Sequence, residues 1–124
     1  MTKVPMVLVV EDDEWLGEQN VRTLHVAGYE AEHVVHALAA IETIDTKRPD
    51  VMIIDVFLAG PNAFTLLHEL QSYVDLASIP VILCTNSASD IAREDVKAYG
   101  VRQVLDKTTM TPADLVAAVK KVVS

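Results

Sequence analysis

The sequence predicts an α/β fold in which helices cover both faces of a five-stranded parallel sheet. Short runs rich in Val, Ile and Leu are long enough for strands and too short for helices, and they occupy residues 6–10, 51–56, 79–84 and 101–105. Most of these runs lack polar alternation, which is typical of strands that are covered on both faces. Since segments with helical spacing follow the strands, the pattern predicts a doubly wound (βα)5 fold with right-handed crossovers.

A fifth strand is predicted over residues 29–35, and its pattern differs from that of the other four. Ala31 and His33 alternate there with Glu30 and Glu32. Alternation indicates a strand with one solvated face, so we place this strand at an edge of the sheet. The resulting strand order is 2-1-3-4-5.

The segments between the strands have apolar residues at helical spacing. Gly28 and Gly100 are predicted to end the first and fourth helices, and Thr111 followed by Pro112 predicts the start of the fifth. The fourth helix, from about Asp90, is the most polar and is expected to be the loosest. The residues expected to face the core from the other helices are Leu16, Thr23, Leu24 and Ala27; Leu38, Ile41 and Ile44; Phe64, Leu67 and Leu70; and Leu115, Val116, Val119 and Val123.

Composition restricts the classes of function that this chain can have. Its 124 residues, of which 51% are hydrophobic, predict one domain over residues 1–124 with a core that needs no disulfide or metal. The net charge of -8 would repel nucleic acid and anionic membrane surfaces. Direct binding of either is therefore not expected.

The cellular location is predicted from cysteine usage and from the absence of a long apolar segment. Cys84 is the single cysteine and lies in an apolar run, so it is interpreted as a buried thiol in a reducing compartment. The apolar run at residues 6–10 is ended by Glu11 and is too short for a signal-peptide core or a membrane span. We therefore expect a cytoplasmic protein.

Polar residues follow four of the predicted strands, at the edge where doubly wound sheets bind ligands. They are Asp12 and Asp13 after the first strand, Asp55 at the end of the third, Thr85 after the fourth and Lys107 after the fifth. Three carboxylates in one pocket would repel each other unless a cation lay between them. Mg²⁺ prefers such oxygen ligands, so a magnesium site is predicted.

These residue types also suit phosphoryl transfer. Asp55 is the candidate nucleophile, because formation of an aspartyl phosphate needs a carboxylate beside the metal. Lys107 would neutralise charge on the phosphoryl group, and the Thr85 hydroxyl would donate a hydrogen bond to it.

Simpler interpretations exist for each residue taken alone. Residues 11–14 could be a solvated acidic helix start, Thr85 could cap a helix, and Lys107 could be an ordinary surface lysine. His33 and His36 are close enough in sequence to suggest a metal, but they straddle a strand end, so ligation is not expected. The joint placement of acidic, hydroxyl and lysine residues at strand ends favours the phosphoryl-transfer hypothesis.

The run Glu11-Asp12-Asp13, the strand that ends in Asp55, and then Thr85 and Lys107 together resemble the receiver domains of bacterial response regulators, over essentially the whole chain. The resemblance implies a flavodoxin-like fold and phosphorylation of Asp55 by a histidine kinase or phosphotransfer protein. It implies Mg²⁺ binding by Asp13 and Asp55, with Asp12 acting through water and the Phe57 carbonyl as a further ligand. Such a domain catalyses only its own phosphorylation and dephosphorylation.

The sequence departs from the family pattern at four places. Ala59 and Ala63 replace a usual Pro and Gly, with Gly60-Pro61 nearby, and Asn86 replaces a small residue after Thr85. Val104 stands where the family has a switch aromatic, so a moving ring cannot report phosphorylation. Thr108 replaces a proline that follows the lysine in a cis bond; because a non-proline cis bond costs about 2.5–4 kcal/mol, we predict a trans bond with Lys107 displaced or more mobile.

The resemblance also implies an output surface formed by the fourth helix, the fifth strand and the fifth helix, for an output domain or a partner protein, and it leaves a homodimer open. The alternative function is that of a degenerate receiver that acts as a constitutive interaction module. A flavodoxin would need Ser, Thr and Gly donors after the first strand, where Glu11 to Glu14 would instead repel a phosphate. A phosphatase with an aspartate nucleophile would need its nucleophile and its acid two residues apart on the first strand, and a cap to enclose the substrate. The sequence has neither feature.

Overall fold

The computed structural model describes residues 4–55, 79–85 and 100–123, and also His68 and Lys97 singly. The strands are β1 (Met6–Val10), β2 (Glu30–Val34), β3 (Val51–Asp55), β4 (Val81–Thr85) and β5 (Val101–Asp106). The helices are α1 (Glu14–Val26), α2 (Ala37–Thr46) and α3 (Pro112–Val123), of which α3 is the predicted fifth helix.

Several predictions concern residues outside the described part of the chain. These are the third helix with Phe64, Leu67 and Leu70, the fourth helix from Asp90, and the individual residues Val56, Phe57, Ala59, Gly60, Pro61, Ala63 and Asn86.

The five strands form one parallel sheet of order β2-β1-β3-β4-β5, which confirms the predicted topology and the edge position of β2. Every residue of β1, β3 and β4 is buried. In β2, Ala31 is buried while Glu30 and Glu32 are exposed. The continuous apolar runs therefore form the centre of the sheet, and the alternating run forms an edge because only one of its faces is covered.

Alternate residues of the central strands enter two separate cores. Leu8, Met52 and Leu83 lie in the core on the α2 side, together with Ala40 and Ile44 of α2. The second core is on the side of α1 and α3 and consists of Val7, Val9, Leu24, Ala31, Val51, Ile53, Ile82, Cys84, Leu115, Ala118 and Val119. Because successive side chains of a strand point to opposite faces, both cores anchor the same three strands and fix the strand ends relative to each other.

The predicted end of the first helix and start of the fifth are confirmed, whereas the fourth helix, which Gly100 was predicted to end, lies outside the described residues. Gly28 and Gly100 have φ angles of 97° and 82°, a conformation that glycine adopts without a Cβ penalty. At the start of α3 the Thr111 hydroxyl accepts from the Asp114 N–H at 3.2 Å, and an Asp114 carboxylate oxygen accepts from the Thr111 N–H at 2.8 Å. This reciprocal pair gives side-chain acceptors to two backbone donors at the start of the helix.

Two residues expected in the core are exposed instead. Leu38 is 63% exposed, because Ala40 and Ile44 define the buried face of α2 and Leu38 lies in its first turn. Ala27 is also exposed, since it is the C-cap residue of α1 and lies beyond the last buried turn. The strand ends also shift slightly: β4 begins at Val81 and includes Thr85, and β5 extends to Asp106.

Within the described residues, no helix has the length and apolar character that a membrane span requires.

Candidate functional site

The candidate site lies at the carboxyl edge of the sheet. Glu11 and Asp12 directly follow β1, Asp55 is the last residue of β3, Thr85 is the last of β4, and Lys107 directly follows β5. Since all these strands are parallel, their carboxyl ends meet at one edge. Of the residues predicted to converge, the structure therefore brings Asp12, Asp55 and Lys107 together at this edge.

Lys107 bridges Glu11, which follows β1, and Asp55, which ends β3. Its Nζ lies 2.6 Å from Oδ2 of Asp55 and 2.9 Å from Oε1 of Glu11. The side chains of Glu11 and Asp55 are each 4% exposed and that of Lys107 is 17% exposed. Charged groups this deeply buried need partners, and here one ammonium serves two carboxyl groups.

Glu11, Asp12 and Asp55 form the acidic cluster of the site. One oxygen from each lies within 4.8 Å of the others, which would allow all three to approach a single cation. Glu11 and Asp55 are buried and Asp12 is exposed. The second carboxyl oxygen of Glu11, Oε2, is buried and has no hydrogen-bond partner within the described residues. Small oxygen-liganded cations such as Mg²⁺ fit this set of donors.

The electrostatics of the cluster reflect its excess of carboxylates over cations. Burial, followed by the hydrogen bond and charge of Asp55, raises the pKa of Glu11 from 4.5 to about 8, against the opposing effect of Lys107. For Lys107, burial would lower the pKa, but the contacts with Asp55 and Glu11 outweigh it, so that the pKa is raised. Lys107 therefore stays protonated. The cluster nevertheless contains more carboxyl groups than one ammonium can neutralise.

Asp13, predicted as a Mg²⁺ ligand, lies outside the acidic cluster. Its Oδ1 accepts a hydrogen bond from the Leu16 N–H at 2.9 Å, so Asp13 is the N-cap of α1. It is not among the clustered carboxylates of the described residues, and Glu11 takes the place that was expected for it. The sequence signal for Glu11 was its position directly after the buried strand β1, but a run of four acidic residues does not show which member begins the helix.

Thr85 is 1% exposed at the end of β4. Its backbone oxygen accepts from the Lys107 N–H at 2.8 Å, and it lies opposite Asp106 in the register of β4 and β5. Thr85 thus fixes the backbone from which Lys107 extends.

The turn after Lys107 explains how the lysine reaches Asp55 without the family proline. Oδ1 of Asp106 accepts from the Thr108 N–H at 2.9 Å and from the Thr108 hydroxyl at 2.6 Å, and these bonds lower the pKa of Asp106. No cis peptide bond occurs in the described residues, which confirms the predicted trans bond at Thr108. The Asp106–Thr108 turn holds the chain on both sides of Lys107, whose Nζ reaches Asp55. The predicted displacement or greater mobility of Lys107 stays a prediction.

A cavity of about 260 Å³ opens beside the acidic cluster. Trp15 and Gln19 of α1 line one side, Met110 and Pro112 line another, and Glu11, Asp55 and Lys107 reach it from the sheet edge. Trp15 lines this cavity and is 69% exposed, so changes at the neighbouring cluster can be followed by its fluorescence.

The two histidines near the end of β2 have structural contacts. His36 caps α2, with Nδ1 accepting from the Ala39 N–H at 3.1 Å. Nε2 of His33 lies 2.6 Å from the backbone oxygen of Glu11. No local sequence pattern indicates this contact of His33, since it joins residues that are 22 positions apart.

Comparison with known proteins is consistent with this geometry. The family model described as the response regulator receiver domain matches residues 7–120. Similar curated proteins include the transcriptional regulatory protein BaeR of Escherichia coli, 27% identical over 95% of this chain and 48% of that protein. The transcriptional activator protein IrlR of Burkholderia pseudomallei is 30% identical over 94% of this chain and 48% of that protein. The chain therefore spans about half the length of these relatives.

Solved structures also resemble the chain. A putative response regulator from Chloroflexus aurantiacus superimposes with a TM-score of 0.82 at 27% identity, covering 98% of each chain. A response regulator receiver protein from Burkholderia phymatum gives a TM-score of 0.77 at 28% identity, covering 96% of this chain and 94% of that one. With a family model that matches nearly the whole chain, and with the acidic cluster and Lys107 at the expected edge of the sheet, this chain belongs to the response regulator receiver domain family of two-component systems.

Proposed function

We propose that this chain is a single receiver domain that accepts a phosphoryl group on Asp55 with the help of Mg²⁺. The observation that supports this most directly is the position of the Asp55 carboxylate, which is buried at the sheet edge, 2.6 Å from the Lys107 ammonium and clustered with Glu11 and Asp12. A buried carboxylate between a lysine and further acidic groups is suited to reaction once a cation balances the cluster.

Asp12 and Asp55 are the proposed direct ligands of Mg²⁺. Glu11 belongs to the same cluster, and its buried Oε2 has no hydrogen-bond partner among the described residues. The Phe57 carbonyl is a further ligand by family resemblance and lies outside the described residues. When bound, Mg²⁺ supplies positive charge that stabilises the phosphoryl oxygens during transfer. Asp13, as the cap of α1, is not a ligand in this proposal.

The chain's own groups carry out the transfer. A carboxylate oxygen of Asp55 attacks the phosphorus of a phosphohistidine on the donor protein, the phosphorus–nitrogen bond breaks, and the donor histidine takes up a proton. Lys107 neutralises charge on the new acyl phosphate, and the Thr85 hydroxyl donates a hydrogen bond to one of its oxygens. Water later hydrolyses the acyl phosphate and restores Asp55, so that the domain catalyses its own dephosphorylation and turns over no metabolite.

The proposed partners are a histidine kinase or phosphotransfer protein as donor and an output domain or partner protein as receiver of the signal. The curated relatives are about twice the length of this chain and are named transcriptional regulators. The proposed output face consists of the predicted fourth helix, which lies outside the described residues, with β5 and α3. A homodimer stays a further proposal. The net charge of -8 disfavours direct nucleic-acid binding by this chain, and its place of action is proposed to be the cytoplasm.

The decisive experiment follows Trp15 fluorescence. Mg²⁺ is titrated first, and beryllium fluoride or a small phosphodonor is added next, with Asp55→Asn as the matched variant. We expect a saturable response to Mg²⁺ and a second response to the phosphoryl mimic that Asp55→Asn lacks. A response to Mg²⁺ with none to the mimic would instead indicate the degenerate receiver, and no response to Mg²⁺ would contradict the metal site.

A further inference from the structure

The backbone of Glu11 is held on both sides by the end of β2. The Glu11 N–H donates to the backbone oxygen of Val34 at 3.0 Å. The Glu11 carbonyl oxygen lies 2.6 Å from Nε2 of His33. Because a carbonyl oxygen can only accept, Nε2 must be the ring nitrogen that carries a hydrogen. The peptide group between Glu11 and Asp12 is therefore tied to the imidazole.

Gly17 of α1 provides the space that this imidazole occupies. A Cβ added to Gly17 would overlap three ring atoms of His33. Gly17 is buried, and its N–H donates to the Asp13 carbonyl at 2.9 Å within the first turn of α1. Glycine inside a helix costs about 0.5–1 kcal/mol relative to alanine, so the helix gives up stability at a position where only glycine admits the ring.

The peptide group between Glu11 and Asp12 joins two carboxylates of the acidic cluster. Glu11 is buried and Asp12 is exposed, yet both have an oxygen within 4.8 Å of the Asp55 cluster oxygen. The orientation of the peptide that joins them decides whether both can face Asp55 together. Among the described residues, the His33 imidazole is the side chain that hydrogen-bonds to this peptide.

We propose that His33, admitted by Gly17, is a positioning residue that holds the Glu11–Asp12 peptide so that both carboxylates face Asp55. This inference rests on the proposed function, because its effect is on the affinity of that cluster for Mg²⁺. His33 does not touch the ion; it acts through the peptide, in the way that groups outside a coordination shell orient the ligands within it.

The test compares two substitutions at one position. His33→Phe keeps the ring and removes the donor, whereas His33→Gln keeps a donor near the position of Nε2. We expect His33→Phe to weaken Mg²⁺ binding, measured by Trp15 fluorescence, by about tenfold, and His33→Gln to restore affinity to within about threefold of the unsubstituted protein. His25→Phe is the matched control, since His25 is exposed on α1 and the substitution should leave Mg²⁺ affinity unchanged.

A second measurement needs no metal. The nitrogen chemical shifts of the His33 ring in the metal-free protein should show a hydrogen on Nε2. Gly17→Ala should displace the ring, change those shifts and weaken Mg²⁺ binding. Chemical shifts that show no hydrogen on Nε2 would overturn the inference, and this result does not depend on whether His33→Phe folds. A folded His33→Phe protein with unchanged Mg²⁺ affinity would overturn it as well. If the unsubstituted protein does not bind Mg²⁺ although Nε2 of His33 carries a hydrogen, the result would instead contradict the proposed function.

Discussion

Adjacent acidic residues at the end of β1 have different roles in the structure. Glu11 and Asp12 belong to the acidic cluster, and Asp13 caps α1 through the Leu16 N–H. All three residues are acidic and consecutive in sequence. Because α1 begins at Glu14, however, the residue before it, Asp13, accepts a backbone hydrogen bond as the N-cap. The helix start therefore decides which carboxylates remain for a metal.

Asn substitutions separate these two roles. Asp12→Asn should weaken Mg²⁺ binding by at least about tenfold, because it removes a charged ligand from the cluster. Asp13→Asn should leave Mg²⁺ affinity within about threefold of the original, since asparagine caps helices as well as aspartate does. Both are measured by Mg²⁺ titration of Trp15 fluorescence, and equal losses in the two variants would contradict the assignment of Asp13 as a cap.

The raised pKa of Glu11 predicts a pH dependence of folding in the metal-free protein. Its pKa is about 8 in the folded protein against an ordinary 4.5. The protonated Glu11 carboxyl therefore makes its full contribution to the free energy of unfolding below pH 4.5, and this contribution is lost as the pH rises through 8. Between about pH 5 and pH 7 we expect a loss on the order of 1–2 kcal/mol, measured by urea unfolding in the presence of a chelator. The raised pKa of Lys107 lies above this window.

Glu11→Gln should remove most of this dependence and stabilise the metal-free protein at neutral pH, because the amide is neutral throughout. Glu18→Gln is the matched control, since Glu18 is exposed on α1 and the net charge changes by the same amount. Parallel pH profiles for the original protein and Glu11→Gln would show that another group is responsible.

At the scale of elements, the segment between β5 and α3 determines where Lys107 points. Asp106 and Thr108 close the turn around the lysine, and Thr111 and Asp114 then fix the first turn of α3. Two short hydrogen-bonded pairs thus join the sheet edge to a helix whose buried residues, such as Leu115, enter the core. The position of the ammonium depends on local turns as well as on the strand.

The capping pair of α3 can be tested by itself. Thr111→Ala should lower the free energy of unfolding by about 1 kcal/mol, because the Asp114 N–H loses the hydroxyl acceptor of the cap and keeps only the Thr111 carbonyl. Urea unfolding is the measurement. Thr109→Ala is the control: Thr109 is exposed, its side chain makes no hydrogen bond with the described residues, and the substitution should cost little. Equal losses would mean that the cap contributes nothing.

At the scale of the whole molecule, the site lies directly above a closely packed core. Cys84 is paired with Asp55 in the β3–β4 register and belongs to the core on the α1 and α3 side. Burial raises the pKa of its thiol from 9.0 to about 12. A thiol in this state is neutral at physiological pH and unreactive.

Alkylation of Cys84 should therefore report opening of the whole domain. At about pH 8, we expect iodoacetamide to modify the folded protein at least about 100-fold more slowly than the chain unfolded in urea, because both access and thiolate formation are suppressed. Mass spectrometry over time is the measurement. Comparable rates in the two states would show that the core beneath Asp55 opens readily.

Much of the fold was predictable because its signals are local. β1, β3 and β4 are buried on both faces, so their sequences are continuous apolar runs, and Glu30 and Glu32 mark β2 as an edge. Gly28 ends α1 through a positive φ angle that few other residues accept. Leu38 and Ala27 were placed wrongly, because helical spacing alone leaves the rotation of a helix and its last buried turn undefined.

The sequence by itself determined the strand order and the edge of the sheet at which Asp55 and Lys107 meet, because parallel strands bring their carboxyl ends together. Only the tertiary structure decided which acidic residues join them, how Lys107 is held without a following proline, and that His33 contacts the Glu11 backbone. The physical reason is the distance along the sequence over which each signal acts. Apolar periodicity is written along a few consecutive residues, whereas a contact such as that of Lys107 with Glu11 joins residues 96 positions apart.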